Sequence, residues 1–149
     1  MLARNGRTAV AFQARRNYSY LMSVLDFKEI PPAHVSDGDQ DAFELFAREV
    51  LMLIGYTTVE GPSRGPDGGK DLIVSESRKG VGGETRIRWL VSCKHKAVSK
   101  KAVGVGDEPS ILERVKSKRC QGFMGFYSTL PSSGLASRIC ELGKEIEVK

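Results

Sequence analysis

The stretch from Lys70 to His95 most limits the folds open to this chain. Two segments, "KDLIVSES" (70–77) and "ETRIRWLVSCKH" (84–95), are rich in β-branched and aromatic residues and flank a turn of Gly and Lys, "RKGVGG". This pattern predicts a β-hairpin whose second strand is long. Strand side chains alternate, so Leu90, Ser92 and Lys94 share one face while Val91, Cys93 and His95 share the other. A cation therefore stands where a buried strand should still be apolar, with a serine two residues before it.

The flanking sequence sets this hairpin among helices. Asp39 or Ser36 can cap a helix running to Ile54, with Gly55 as its stop. At helical spacing Phe43, Phe46, Ala47, Val50, Leu51, Leu53 and Ile54 form an apolar stripe, with Leu45 and Met52 nearly opposite. A helix apolar on two sides is covered on both, by the N-terminal segment or by another protomer. "YTTVE" (56–60) reads as a short strand. After the hairpin, "DEPSILERVKSKRC" (107–120) reads as a helix with Asp107 near its N-cap and Pro109 in its first turn. "GFMGFYS" is an apolar strand, "LASRICEL" a helix ended by Gly143, and "EIEVK" the start of a last strand, where the pattern breaks off as in a fragment. The order is that of an α/β fold, a mixed central sheet flanked by helices.

The chain of 149 residues is long enough for one domain with a real core. "IPPAHVSDGDQ" (30–40) breaks regular structure, dividing a basic N-terminal extension, 1–38, from a globular domain, 39–149. The extension has a segment of weak helical pattern from Thr8 to Leu25. The net charge is +5, but the first 25 residues hold Arg4, Arg7, Arg15 and Arg16 and no acid, and the remainder is close to neutral. This leader superficially resembles an organellar transit peptide, and equally a basic arm or flexible tail. Nucleic-acid affinity of the domain must come from local patches such as "KHKAVSKK" (94–101) and "RVKSKR" (114–119), each of which can also be a solvated basic face. No apolar run reaches the roughly 18 residues of a membrane span, so no membrane partner is expected. Cys93, Cys120 and Cys140 form no CxxC pair, and with only His34 and His95 the chain cannot easily build a structural zinc site. Reduced thiols fit a cytoplasmic protein.

Several motifs fail on spacing. A phosphate loop ending at Gly69-Lys70 needs glycine where Arg64 stands, and Asp71 replaces its Ser or Thr. "GVGDEP" lacks the third glycine of a dinucleotide fingerprint, and no GxSxG elbow supports a serine hydrolase. A more specific constellation is Asp71 at the start of one strand, Lys94 on the next and Glu44 on the preceding helix. Adjacent strands lie about 5 Å apart, so these groups can converge. Two carboxylates and a lysine suit metal-dependent phosphodiester hydrolysis, in which carboxylate oxygens hold Mg2+ and the lysine neutralises developing charge. On spacing alone, a plain Asp71–Lys94 salt bridge beside a solvated Glu44 accounts for the same residues.

"FELFAREVLMLIGYTTVEGPSRGPDGGKDLIV" followed by "RWLVSCKHK" resembles the Mrr-like branch of the PD-(D/E)XK restriction-endonuclease superfamily, as does the later "GFMGFYSTLPSSGLA". The likeness runs from about Asp39 to Val148. It implies a restriction-endonuclease-like core and a Mg2+-dependent endodeoxyribonuclease, with Mn2+ tolerated. It makes Asp71 the metal-binding strand carboxylate, Lys94 the motif lysine and Glu44 the acid of the first helix. Ser92 departs from the pattern, standing where the family carries Gln or an acid. A hydroxyl is a poor ligand for a hard cation, so Glu44, Asp67, a backbone carbonyl such as that of Cys93, or a water must complete the shell.

DNA is the partner this resemblance implies, and a homodimer fits an enzyme that cuts both strands. His95, Lys96, Lys100 and Lys101 follow the motif strand and are placed to meet phosphates. Ser128, Thr129 and the "PSSG" loop can add hydroxyl and N–H contacts, although "PSSG" also reads as a simple helix cap. Arg64 in the glycine-rich loop can reach DNA, and Trp89 reads as core. Two rival readings remain: a DNA-binding protein of this fold whose active site has degenerated at Ser92, and an interaction domain using the two-sided helix.

Overall fold

The computed structural model describes residues 26–32, 41–61 and 72–149. The expected helix over 8–25 and the residues Arg64, Asp67 and Asp71 lie outside the described residues, as do Ser36 and Asp39.

Helix α1 spans Ala42–Leu53 and begins at Asp41, whose carboxylate accepts from the Phe43 N–H at 2.9 Å. The cap is thus Asp41, and neither Ser36 nor Asp39 fills that role, because only Asp41 immediately precedes the first helical turn. Phe43, Ala47 and Leu51 recur every fourth residue and are buried, forming the face that meets the sheet. The helix stops at Ile54, and Gly55 follows at φ +107°, a conformation that glycine adopts without steric cost. Phe27, in a 3-10 turn over Phe27–Glu29, packs edge-on against Phe43 and Phe46 at about 6 Å. The helix is therefore covered at its N-terminal half by part of the extension, while Leu53 at its other end is 85% exposed.

Strand β1 is Thr57–Glu60, β2 Leu72–Gly80 and β3 Gly83–Lys94. β2 and β3 pair antiparallel from Leu72–Val91 to Gly80–Gly83. The expected hairpin is present, with a turn shorter than "RKGVGG": both strands run on to glycines, and Gly83 closes the turn at φ +109°. Helix α2 follows at Ile111–Ser117, then β4 at Gly122–Tyr127, α3 at Ser133–Leu142 and β5 at Glu147–Val148. The sheet order is β1-β2-β3-β4-β5; β2 runs antiparallel to both β1 and β3, and β3, β4 and β5 are parallel. Parallel neighbours need crossovers, which α2 and α3 supply.

α2 is shorter than expected. Pro109 cannot donate a helical hydrogen bond, and Ser110 sits left-handed at φ +49°, so the regular helix starts only at Ile111. Asp107 instead caps a separate 3-10 turn, Val105–Asp107, by accepting from the Gly104 N–H at 2.7 Å. α3 is capped by Ser132, whose Oγ accepts from the Leu135 N–H.

Helices cover both faces of the sheet. On one, Ile73, Leu90 and Phe123 pack with Val103, Ile111, Val115 and Leu135 under α2 and α3. On the other, Leu72, Val74, Trp89, Val91 and Met124 pack with Leu51 of α1. Trp89 is fully buried, as its strand parity predicts, and its indole N–H donates to Glu76 at 2.9 Å. Side chains of this size contribute about 1.5–3 kcal/mol each when fully buried. The central strands are thus fixed from both sides, and the ends of β3 and β4 make a rigid platform.

Candidate active site

Four pieces of chain meet at one end of the sheet: the start of β2, the ends of β3 and β4, and the N-terminus of α1. Phe43 in the first turn of α1 stacks on the His95 ring at 4.8 Å and touches Phe126 at 5.5 Å, which fixes the helix over this edge. The N-terminus of α1, which carries a partial positive charge, thereby lies near the ends of β3 and β4.

Glu44 lies in that first turn and is only 7% exposed, on the side of α1 that carries Phe43, Ala47 and Leu51. A carboxylate is seldom buried without a purpose or a partner. Ser92, on β3, is 1% exposed, and its Oγ has no hydrogen-bond partner among the described residues. Lys94, two residues on, is half-buried on the same strand face, and no ion pair joins it to an acid among the described residues. Asp71 lies outside the described residues, but its neighbour Leu72 is paired with Val91, the neighbour of Ser92.

The loop after β3 is built around Ser128. Its Oγ accepts from the Lys96 N–H at 2.8 Å and the Ala97 N–H at 3.0 Å, and lies 3.0 Å from His95 Nδ1. His95 Nε2 lies 2.7 Å from the Ile30 carbonyl oxygen, which can only accept, so the tautomer with hydrogen on Nε2 satisfies every bond. His95 and Ser128 therefore spend their polar groups within the protein. Lys96 is ion-paired with Asp107; its ammonium, the Gly104 N–H and, from further off, Lys94 hold the Asp107 carboxyl below the usual range. Lys100 and Lys101 stand exposed on this loop. A Val103–Pro131 bridge and the bond from Thr129 Oγ1 to the Lys101 carbonyl tie the loop down.

Sequence reasoning missed a second polar group on the Lys94 face. Glu108 is fully buried; it accepts from the Tyr127 hydroxyl at 2.9 Å and from Arg114 Nη1 at 2.9 Å. Burial, reinforced by the Glu108 charge, pushes the Tyr127 phenol far above its usual range. The one available signal was Gly125, an isolated glycine inside an apolar strand, which marks a close approach. A Cβ there would lie 2.5–2.7 Å from the tip of the Tyr127 ring.

A family model described as a restriction endonuclease, of the Mrr catalytic type, matches residues 35–124. The chain belongs to this restriction endonuclease family. The match spans α1 through the first half of β4 and so contains Glu44, Asp71, Ser92 and Lys94. Among solved structures, the DNA modification-dependent restriction endonuclease AspBHI superposes with a TM-score of 0.56 at 17% identity over 71% of this chain. The restriction-endonuclease-like fold expected from the motifs is therefore present. This chain spans 27% of the length of AspBHI. No match was found among the curated proteins compared.

Tested against a divalent cation, the donors of this restriction endonuclease domain are the right kind but few. The buried Glu44 carboxylate and the Ser92 hydroxyl, which has no partner among the described residues, are hard oxygen donors of the type Mg2+ takes. Among the described residues no three His, Cys, Asp or Glu side chains cluster as a ready-made metal site. A hard-cation site here needs an additional acid, and Asp71 is the nearest in sequence to the paired Leu72–Val91 position. No helix among the described residues is long and apolar enough to cross a membrane.

Proposed function

We propose that this protein is a Mg2+-dependent endodeoxyribonuclease of the restriction type. The observation that supports the reading is the pairing of Leu72, which follows Asp71 in the chain, with Val91, which precedes Ser92, together with a buried Glu44 and a half-buried Lys94. Consecutive Cα atoms are 3.8 Å apart, so the chain itself keeps Asp71 near the end of β3. Asp71 and Glu44 would hold the cation, with the Cys93 carbonyl or Ser92 hydroxyl as a weaker oxygen donor. When bound, Mg2+ would polarise the scissile phosphate and acidify a water. Lys94 neutralises charge developing on the phosphate, and Mn2+ serves in place of Mg2+.

DNA phosphates meet the exposed Lys100 and Lys101, with Arg64 approaching from the glycine-rich loop. His95, Lys96 and Ser128 shape this surface from beneath, since their polar groups already bind Ile30, Asp107 and backbone N–H groups. Cutting both strands calls for two such sites and hence a homodimer. A reducing cytoplasm keeps Cys93, Cys120 and Cys140, none of them in a disulfide, as thiols.

Cleavage of plasmid DNA with Mg2+ or Mn2+ tests this reading. Lys94→Ala and Asp71→Ala are each expected to lower the rate by about 10²–10³-fold, the usual effect of removing one electrostatic stabiliser of a transition state. Activity unaltered by either change would remove the assigned site. The buried, neutral Ser92 favours one alternative, a DNA-binding protein of this fold with a degenerate site. That reading requires salt-sensitive DNA binding without cleavage in either metal.

A further inference from the structure

Leu130 is 83% exposed just beyond β4, on a segment whose backbone is firmly held. Its carbonyl accepts from the Val103 N–H at 3.2 Å, and the Val103 carbonyl accepts from the Ser132 N–H at 2.8 Å. Val103 and Pro131 form a parallel bridge, so residues 101–103 and 129–131 run side by side like two short strands, about 5 Å apart. Pro131 also confines the residue before it to extended backbone. Side chains alternate along such segments. Val103 therefore turns inward and is fully buried, while Ala102 and Leu130, one position earlier on each segment, are left outward.

A single exposed leucine is common on protein surfaces; the surroundings of this one set it apart. Thr129 Oγ1 donates to the Lys101 carbonyl at 2.9 Å, which brings the exposed Lys100 and Lys101 alongside. Residues 98–102 and 129–134 contribute these two lysines and no acid, and Asp107 on the following turn is already paired with Lys96. The Ser128 N–H binds the Lys94 carbonyl, so the patch borders the end of β3. A second copy of the chain docked here about a two-fold axis would bring like charges together. Duplex DNA fits both features, offering phosphates to the lysines and stacked bases to the leucine. A helix or a ribbon fills the major groove, about 12 Å wide, whereas one leucine on a loop matches the minor groove, about 6 Å wide.

We propose that Leu130 enters the minor groove of duplex DNA as an apolar wedge, with Lys100 and Lys101 on the flanking phosphates. The proposal rests on the DNA-acting reading above and uses none of the cation ligands. Apolar side chains pressed between base steps unstack them and bend the duplex. Pyrimidine–purine steps, which unstack most easily, are therefore bound best at this position. Leu130 in this way adds sequence preference to a surface whose lysines carry none.

Binding of the full chain to a labelled duplex, with a chelator present and over a range of salt, tests this. Energy transfer between the duplex ends reports bending in the same samples. Leu130→Ala is expected to weaken binding about tenfold, the order expected for losing an apolar contact of that size, and to abolish the bend. The salt slope should stay as in the parent, because no charge is removed. Leu130→Met keeps the apolar bulk and should bind and bend as the parent does. The urea midpoint should not move in either variant, since the side chain lies outside the core. Parental affinity and bending in Leu130→Ala overturn the proposal, as does weaker binding that comes with a lower unfolding midpoint. A salt slope that falls together with affinity assigns the effect to displaced lysines and overturns it too. So does a dimer that Leu130→Ala converts to a monomer, which would show a second copy covering the leucine. Each of these leaves the DNA-acting reading standing. Absence of duplex binding by the parent at low salt defeats that reading and this inference with it.

Discussion

Replacing Ser92 with alanine is expected to stabilise the metal-free protein. Its Oγ is buried on a residue only 1% exposed and meets no hydrogen-bond partner among the described residues. A buried hydroxyl in that condition costs about 1–3 kcal/mol of folding free energy, because its water bonds are lost and not replaced. Deleting the oxygen removes that cost and leaves a gap the size of one atom. At about 24 cal/mol per Å3 of residual cavity, such a gap returns roughly 0.5 kcal/mol. The balance is a gain of about 1–2 kcal/mol. Urea unfolding followed by the fluorescence of Trp89, with a chelator present, measures it. With a slope of about 2 kcal/mol per molar, the midpoint should rise by roughly 0.5–1 M. A midpoint that falls by a similar amount at unchanged slope would show that the hydroxyl is satisfied in the folded state. The idea that this serine is kept for a ligand would then lose its footing.

Further outcomes follow from other parts of the fold. Glu76 accepts from Arg78, Lys149 and the Trp89 indole, and these bonds lower its carboxyl to about 2 from an ordinary 4.5. A depressed acid stabilises above its unfolded pKa and loses that contribution as pH falls toward the folded value. Glu76→Gln should therefore cost about 1–2 kcal/mol at pH 7, allowing for solvent screening, and flatten the decline between pH 4.5 and 2 in acid titrations of stability. Gly122→Ala places a Cβ 2.5 Å from the fully buried Trp89 ring and should destabilise by about 3 kcal/mol in the same urea assay. Replacing Lys100 and Lys101 together with alanine should reduce the slope of log binding constant against log salt by roughly 2 on duplex DNA, with no change in the unfolding midpoint.

Much of the architecture is legible in the residue pattern, for reasons that particular segments make clear. Phe43, Ala47 and Leu51 at four-residue spacing predict α1 and its buried face, and Gly55 marks its end. Strand alternation through "RWLVSCK" correctly separates Trp89 and Val91 from Leu90 and Ser92. Boundaries fare less well where a local backbone event decides them. Asp107 looks like the cap of one long helix, but the left-handed Ser110 after Pro109 divides that segment in two. At the site, Glu44 at the helix start and Lys94 at the strand end are readable because each interrupts an apolar period.

What pattern cannot show is a partner far away in the chain. His95 and Lys96 read as phosphate contacts because both are basic and follow a motif strand. Their use depends on Ser128, Ile30 and Asp107, brought to them only by the fold. The Tyr127–Glu108 bond escaped for the same reason, since it joins a strand to a turn 19 positions earlier. Composition records both residues, but only the fold brings the Tyr127 ring over Gly125 and its hydroxyl to Glu108.

A crystal structure of the protein soaked with Mn2+, read by its anomalous scattering, tests the account's central claim most directly. The account predicts one cation at the end of β3, touching carboxylate oxygens of Asp71 and Glu44 beside Lys94. Anomalous density elsewhere on the chain, or none at this end of the sheet under saturating Mn2+, would contradict it.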